Sequence, residues 1–280
     1  MTVRFFYALI LNTIMAFEVP SMLNAMISRS LTELINQRQR SLKQTQQIQR
    51  SIYDFALRNS ANFQSPQFQK ISSADLGMLF QITDEQIFDG LLGQLCESSS
   101  EKPLSFRLST RMTTCGGMTT MQRENRRGAL PEFEIAIATG PLFDTFKIDT
   151  AAKVGGLVCH NRLQALQRIM EHEMLHLAEL LLFSDSNCNG TQFKNYARRH
   201  FGHTESNHRL LTPRDVARRK LGISSGDTVC FDVGGRSLTG IINRITKRAT
   251  VLVADPKGTK YTDGKRYSKF YVPLNMLRRK

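Results

Sequence analysis

The chain has no CxxC pair, no apolar run long enough to cross a membrane, and very little acid in its last quarter. Each absence excludes something. The five cysteines (Cys96, Cys115, Cys159, Cys188 and Cys230) are odd in number and widely spaced, which argues against a disulfide framework and for a reducing, intracellular compartment, cytoplasmic or nuclear. The apolar run from Phe5 to Phe17 is interrupted by Asn12 and Thr13 and is too short for a span, so no stable membrane insertion is expected. That run also lacks the charged start and small-residue cleavage site of a secretory signal. An organellar leader is the open alternative, because Arg29, Arg38, Arg40, Lys43 and Arg50 follow it with few acids. Between Arg209 and Lys280 there are 17 Lys and Arg against 5 Asp, so this segment carries +12 of the chain's net +14. Such a basic density points to nucleic acid or another polyanion as partner.

What is present is more specific. His172-Glu173-Met174-Leu175-His176 is an HExxH motif inside an apolar stretch of helical period, with Leu163, Leu166, Met170, Leu177, Leu180 and Leu181 recurring from Asn161 to about Phe183. Residues four apart share a helix face, so His172 and His176 can aim at one metal ion with Glu173 beside them. Two histidines and a glutamate on a largely apolar helix are costly to bury without a partner, and Zn²⁺ would supply one. Zinc with an open coordination position activates water, and Glu173 is placed to act as general base and then acid. Asn161 is the expected N-cap, and Ser184-Asp185-Ser186-Asn187 the stop.

With 41% hydrophobic residues in 280, the chain is expected to form one main domain and a smaller one. The glutamine-rich stretch between Asn36 and Gln69 reads as an exposed helix and linker. Ser72-Ser73-Ala74-Asp75 starts a helix. Residues Phe106 to Met112 and Glu132 to Ala138 alternate like antiparallel strands, and Cys115-Gly116-Gly117-Met118 reads as a turn. An edge strand beside the motif helix would hold an extended peptide by main-chain pairing.

Four elements, in order, resemble the SprT-like family of zinc metallopeptidases, which includes the Spartan proteases acting on proteins crosslinked to DNA. They are Asp75-Leu76 with Leu79-Phe80 and Phe88-Asp89-Gly90-Leu91-Leu92; Ser109-Thr110-Arg111-Met112-Thr113-Thr114-Cys115-Gly116-Gly117; the HExxH helix; and Gly190-Thr191-Gln192-Phe193. The resemblance spans roughly Ser72 to His208 and implies an α+β, zincin-like core of helices and a small antiparallel sheet. It implies a Zn²⁺-dependent endopeptidase with Glu173 as catalytic residue and His172 and His176 as ligands. The family usually places its third histidine just before the glycine of its H-G-x-x-F segment. Here that position is Asn189, a poor ligand, so the adjacent Cys188 is the expected third ligand, with His203 and His208 as rivals. Those rivals would otherwise shape the cleft or stabilise a developing oxyanion. His200 is expected at a helix end on the surface, Cys115 in packing, and Arg111 either in the cleft or in a fold-organising ion pair.

After a helix starting at Thr212-Pro213-Arg214-Asp215, short alternating strands with a Gly234-Gly235 turn suggest a small SH3-like or KOW-like β-barrel. The expected division is therefore an extension over 1–70, a metallopeptidase domain over 71–211 and a basic barrel over 212–280. Arg244, Lys247, Arg248, Lys265 and Arg266, interleaved with Tyr261, Tyr267 and Tyr271, are the expected nucleic-acid contacts, with DNA favoured over RNA. The expected substrate is a nucleic-acid-associated protein. The alternatives are a nucleic-acid-binding protein with structural zinc or an inactive core, and a barrel that binds protein or packs on the core.

Overall fold

The structure, a computed structural model, describes residues 22–126, 128–148 and 151–280; the apolar run Phe5 to Phe17 lies outside them. Helices are α1 (22–37), α2 (Leu42–Asn59), α3 (Ser73–Phe88), α4 (Leu91–Ser99), α5 (Thr139–Ile148), α6 (Arg162–Phe183), α7 (Thr191–Phe201) and α8 (Pro213–Leu221). Strands are β1 (Ser105–Ser109), β2 (Gly117–Arg123), β3 (Pro131–Ala138), β4 (Ala152–Val154), β5 (Leu157–Cys159), β6 (His208–Arg209), β7 (Thr228–Val233), β8 (Arg236–Ile245), β9 (Arg248–Lys260), β10 (Arg266–Pro273) and β11 (Arg278–Arg279). No described helix is long and apolar enough to cross a membrane.

Helix α6 organises the first hydrophobic cluster. The Asn161 side chain accepts from the Gln164 N–H at 2.9 Å, and Ser184, at φ 56°, ends the helix in the left-handed region. Leu163, Leu166, Ile169, Met170, Met174, Leu175 and Leu177 are fully buried, so α6 is covered on several sides rather than lying on the surface. Helices α2, α3 and α7 pack against it, as does a three-stranded sheet in the order β1-β3-β2.

In that sheet β1 pairs parallel to β3, and β2, expected as part of a turn, is a full strand antiparallel to β3. The two strands read from sequence are therefore parallel neighbours, because the intervening β2 takes the other side of β3. Strand β2 forms the edge that lies against α6. A second small sheet, β5-β4-β6, ties the chain after α7 back onto the segment preceding α6 through Lys153–Arg209 and Val154–His208.

The expected exposed helix is also corrected. Ile52 and Ala56 of α2 are fully buried in the same cluster as α6, and Gln49 enters a polar knot beneath it. Gln49 Nε2 donates to the Phe201 carbonyl at 3.0 Å and reaches both Glu171 oxygens at 3.3 Å, while Gln167 Nε2 donates to the Gln49 carbonyl at 2.9 Å. Glu171, fully buried, also pairs with Arg168 and accepts from His203 Nε2 at 2.9 Å. Desolvation alone would raise its pKa, but Arg168 and His203 outweigh it and hold the carboxyl below its ordinary value. His200 is likewise interior: it is fully buried, and its Nε2 donates to the Ile35 carbonyl at 2.9 Å.

Residues after Thr212 build a second cluster around Val229, Phe231, Ile242, Val251 and Val272. Its antiparallel sheet has the order β10-β9-β8-β7-β11. Strands β10 and β11 are edges that do not hydrogen-bond to one another, so the sheet is open where a closed barrel was expected.

Because Glu171 joins α2, α6 and the chain after α7, removing its charge strands Arg168 and His203. Glu171→Ala should cost about 3–5 kcal/mol of stability, measured by urea unfolding; a loss under about 1 kcal/mol would show the knot to be dispensable.

Candidate metal centre

The HExxH turn of α6 faces a cleft of about 420 Å³. The cleft is lined by strand β2 from Gly117 to Thr119, by Ser186 and Cys188, and by Ser206 to His208, whose imidazole lies against Gly116. His172 and His176 bring their Nε2 atoms to 3.1 Å of each other. Two nitrogen ligands on one tetrahedral zinc, at bonds of about 2.0–2.1 Å, would sit about 3.3 Å apart. The Phe193 ring packs on both imidazoles, with centroids 4.8 Å from His172 and 4.6 Å from His176, and limits their rotation.

Hydrogen bonding fixes the His176 tautomer. The Ser186 hydroxyl donates to Glu179 Oε2 at 2.6 Å, so its oxygen accepts from His176 Nδ1–H, also at 2.6 Å. The Nε2 lone pair is then left facing His172 and the cleft, the form a metal ligand needs. Burial keeps both rings neutral: His176 is pushed down to about 4 and His172 well below its ordinary value, the latter also by neighbouring His208 and His176.

Glu173 is held from β2. The Thr119 hydroxyl lies 2.9 Å from Glu173 Oε2 and 2.9 Å from the Glu173 carbonyl oxygen, and donates to one of them. Gly117 has no room for a side chain: a Cβ there would meet Glu173 Oε1 at 2.6 Å. Burial pushes the Glu173 carboxyl up to about 8, with the Thr119 bonds pulling the other way. A nearby divalent cation would stabilise the ionised form.

Two further donors converge. The ligand atoms of His172, His176 and Cys188 all lie within 4.8 Å of one another, and so do those of His172, Glu173 and His208. His208 packs its ring 4.5 Å from that of His172, in space left by Gly116, where a Cβ would meet His208 Nδ1 at 2.6 Å. Its Nε2 is buried without a partner among the described residues, and burial pushes its pKa down to about 3. His203 is not brought to the centre, because its Nε2 is committed to Glu171. Asn189 is exposed, with its N–H donating to Asn187 Oδ1. Cys115 lines the cleft rather than the core, whereas Arg111 is exposed and outside the cleft lining.

The supporting groups Thr119, Ser186 and Glu179 carry no motif in the sequence. Only the Ser184–Asn187 helix stop hinted that the chain turns back towards His176. Neutral imidazoles, a cysteine and an adjacent carboxylate form a donor set that suits zinc.

The SprT-like family model matches residues 77–209, a segment containing all of these groups. No curated protein and no solved structure matches the chain.

Ser186→Ala should weaken zinc binding about 10–100-fold, measured by chelator competition, because His176 loses its orienting partner. Unchanged affinity would mean that the relay does not hold a ligand. Cobalt loading separates the two extra donors. A near-ultraviolet thiolate-to-metal absorption lost in Cys188→Ser and kept in His208→Ala identifies Cys188 as ligand; the absence of such a band in the parent chain excludes it.

Proposed function

From residues 77–209 being an SprT-like domain, we propose that the protein is a zinc-dependent metalloendopeptidase acting on proteins associated with nucleic acid. The observation that carries the reading is a general-base candidate, Glu173, held by Thr119 and Gly117 of an edge strand, next to two neutral histidines in one cleft. His172, His176 and Cys188 would hold the metal. Zinc, when bound, lowers the pKa of a coordinated water to roughly 7 and polarises a carbonyl.

The chain's own groups do the rest. An extended substrate pairs along the free edge of β2, which sets its backbone beside Glu173. Glu173 takes the proton of the attacking water and delivers it to the amide nitrogen that leaves, so the peptide bond breaks to a carboxylate and an amine. His208, beside Gly116 and within 4.8 Å of Glu173 and His172, would donate to the oxygen of the carbonyl under attack. The basic segment Arg209–Lys280 would recruit nucleic acid, and with it the proteins bound there. Free cysteines throughout fit a reducing, intracellular compartment.

One observation favours a second reading. Cys188 and His208 both approach His172, so four protein donors could close the coordination sphere, as in structural zinc sites. The protein would then be a nucleic-acid-binding protein that does not cleave.

The zinc-loaded chain should degrade a DNA-binding protein, faster with single-stranded DNA present, and Glu173→Gln should lower the rate at least about 10²–10⁴-fold with zinc content unchanged. Zinc retained with no cleavage by the parent chain, while nucleic acid still binds, would overturn the peptidase in favour of the second reading.

A further inference from the structure

The five cations expected to contact nucleic acid do not share one location. Lys265 and Arg266 lie where β10 begins, and Arg266 spends a guanidinium N–H on the Gly258 carbonyl at 2.9 Å. Arg244, Lys247 and Arg248 cluster at the β8–β9 hairpin, at the other end of β10. Strand register places Tyr271 there. Thr250 of β9 is paired with Tyr271 on one side and Arg244 on the other, so the three side chains form a row on one face of the sheet. The next row on that face, Lys269, Leu252 and Ile241, supplies a second cation and an apolar floor. The opposite face carries Val251 and Val272 into the core, which fixes the Tyr271 face as the outer one.

Tyr271 is 65% exposed, and Ile241 on the same face is 41% exposed. Among the described residues, the Tyr271 ring makes no close contact with another ring or with a cation. The acids of the segment are tied up elsewhere: Asp215 caps α8, Asp227 binds the Ser224 N–H, Asp232 pairs with Arg278, Asp255 accepts from Ser268, and Asp263 accepts from the Tyr267 hydroxyl. The cations around Tyr271 are left without counter-charge from these groups.

We infer that this outer face is a single-stranded nucleic-acid site, with an unpaired base stacked on Tyr271 and flanking phosphates held by Arg244, Lys247 and Arg248. Duplex DNA keeps its bases inside the stack and offers no free face to Tyr271, so an exposed ring ringed by cations selects unpaired strands. Stacking tolerates every base, so the site reads strandedness rather than sequence. The inference rests on the nucleic-acid recruitment proposed above and adds its location and strand preference.

Fluorescence anisotropy of labelled 12-nucleotide DNA and RNA single strands and of the matching duplex, in a salt series with the full zinc-loaded chain, tests it. Tyr271→Ala should weaken single-strand binding roughly 5- to 150-fold, the loss of one stacked base, and Tyr271→Phe should retain it. Arg244→Ala should weaken binding and lower the salt slope by about one, whereas Arg266→Ala should change it little. Because Tyr271 is exposed, its variants should melt with the parent chain. Single strands binding equally well to the parent and Tyr271→Ala, or duplex binding as tightly as single strands, would overturn the assignment while leaving recruitment intact. Failure of all three probes to bind would overturn the recruitment reading as well, and leave the peptidase reading to its own test.

Discussion

Burial of a polar face on α6 is the constraint from which the rest of the first cluster follows. Glu171, His172 and Glu173 are three consecutive ionisable residues, all buried, on a helix packed on several sides. Successive residues point about 100° apart, so they cannot share one partner. Glu171 finds Arg168, Gln49 and His203 within the protein, while Glu173 finds Thr119 on β2. Among the described residues His172 finds no hydrogen-bonding partner beyond His176, and its Nδ1 is buried unpaired. One side of α6 is a satisfied internal knot; on the other, the His172 Nδ1 and His208 Nε2 atoms are buried with no hydrogen-bond partner among the described residues. Unpaired buried nitrogens of that kind are costly, and a divalent ion bound to the neutral imidazoles beside them would offset part of that cost.

The close approaches follow from the same geometry. Gly116 and Gly117 lack side chains where His208 and Glu173 must come near, so the start of β2 admits the Glu173 carboxylate and the His208 ring at side-chain contact. A strand held that close leaves its free edge beside the cleft. Neither glycine has a positive φ; what they supply is space rather than an unusual backbone conformation.

Much of this was legible in the sequence because it rests on local signals. The HExxH helix, its Asn161 cap and its stop are set by periodicity and capping chemistry, and they hold as read. Strand β2 escaped because Met118-Thr119-Thr120-Met121-Gln122 has no clean alternation, its faces being divided between sheet packing and the cleft. Strands β4, β5 and β6 are two or three residues long, too short to carry a period. Gln49 looks like any glutamine in a biased stretch, and its role depends on Glu171, 122 positions away. His200, His203 and His208 are nearly adjacent in sequence. Their separate fates, a bond to Ile35, a bond to Glu171 and a place in the cleft, are decided by partners the local sequence does not name.

The segment holding those histidines also links the two clusters. His203 is anchored in the knot, His208 forms the cleft wall through its pairing with β4, and Leu210 and Leu211 are buried, with the Leu211 N–H donating to Thr145 Oγ1 at 2.8 Å. Thr212 then caps α8 at once. Three residues separate His208 from Thr212, four chain steps with a reach of at most about 14 Å. A tether that short, pinned by buried side chains, keeps the basic segment close to the cleft. It also makes the cleft wall part of the mechanical connection. A pull or rotation transmitted through Thr212 meets first the buried Leu210 and Leu211, and next His208. The basic segment is therefore joined, over four chain positions, to a cleft-lining imidazole that lies within 4.8 Å of the Glu173 carboxylate.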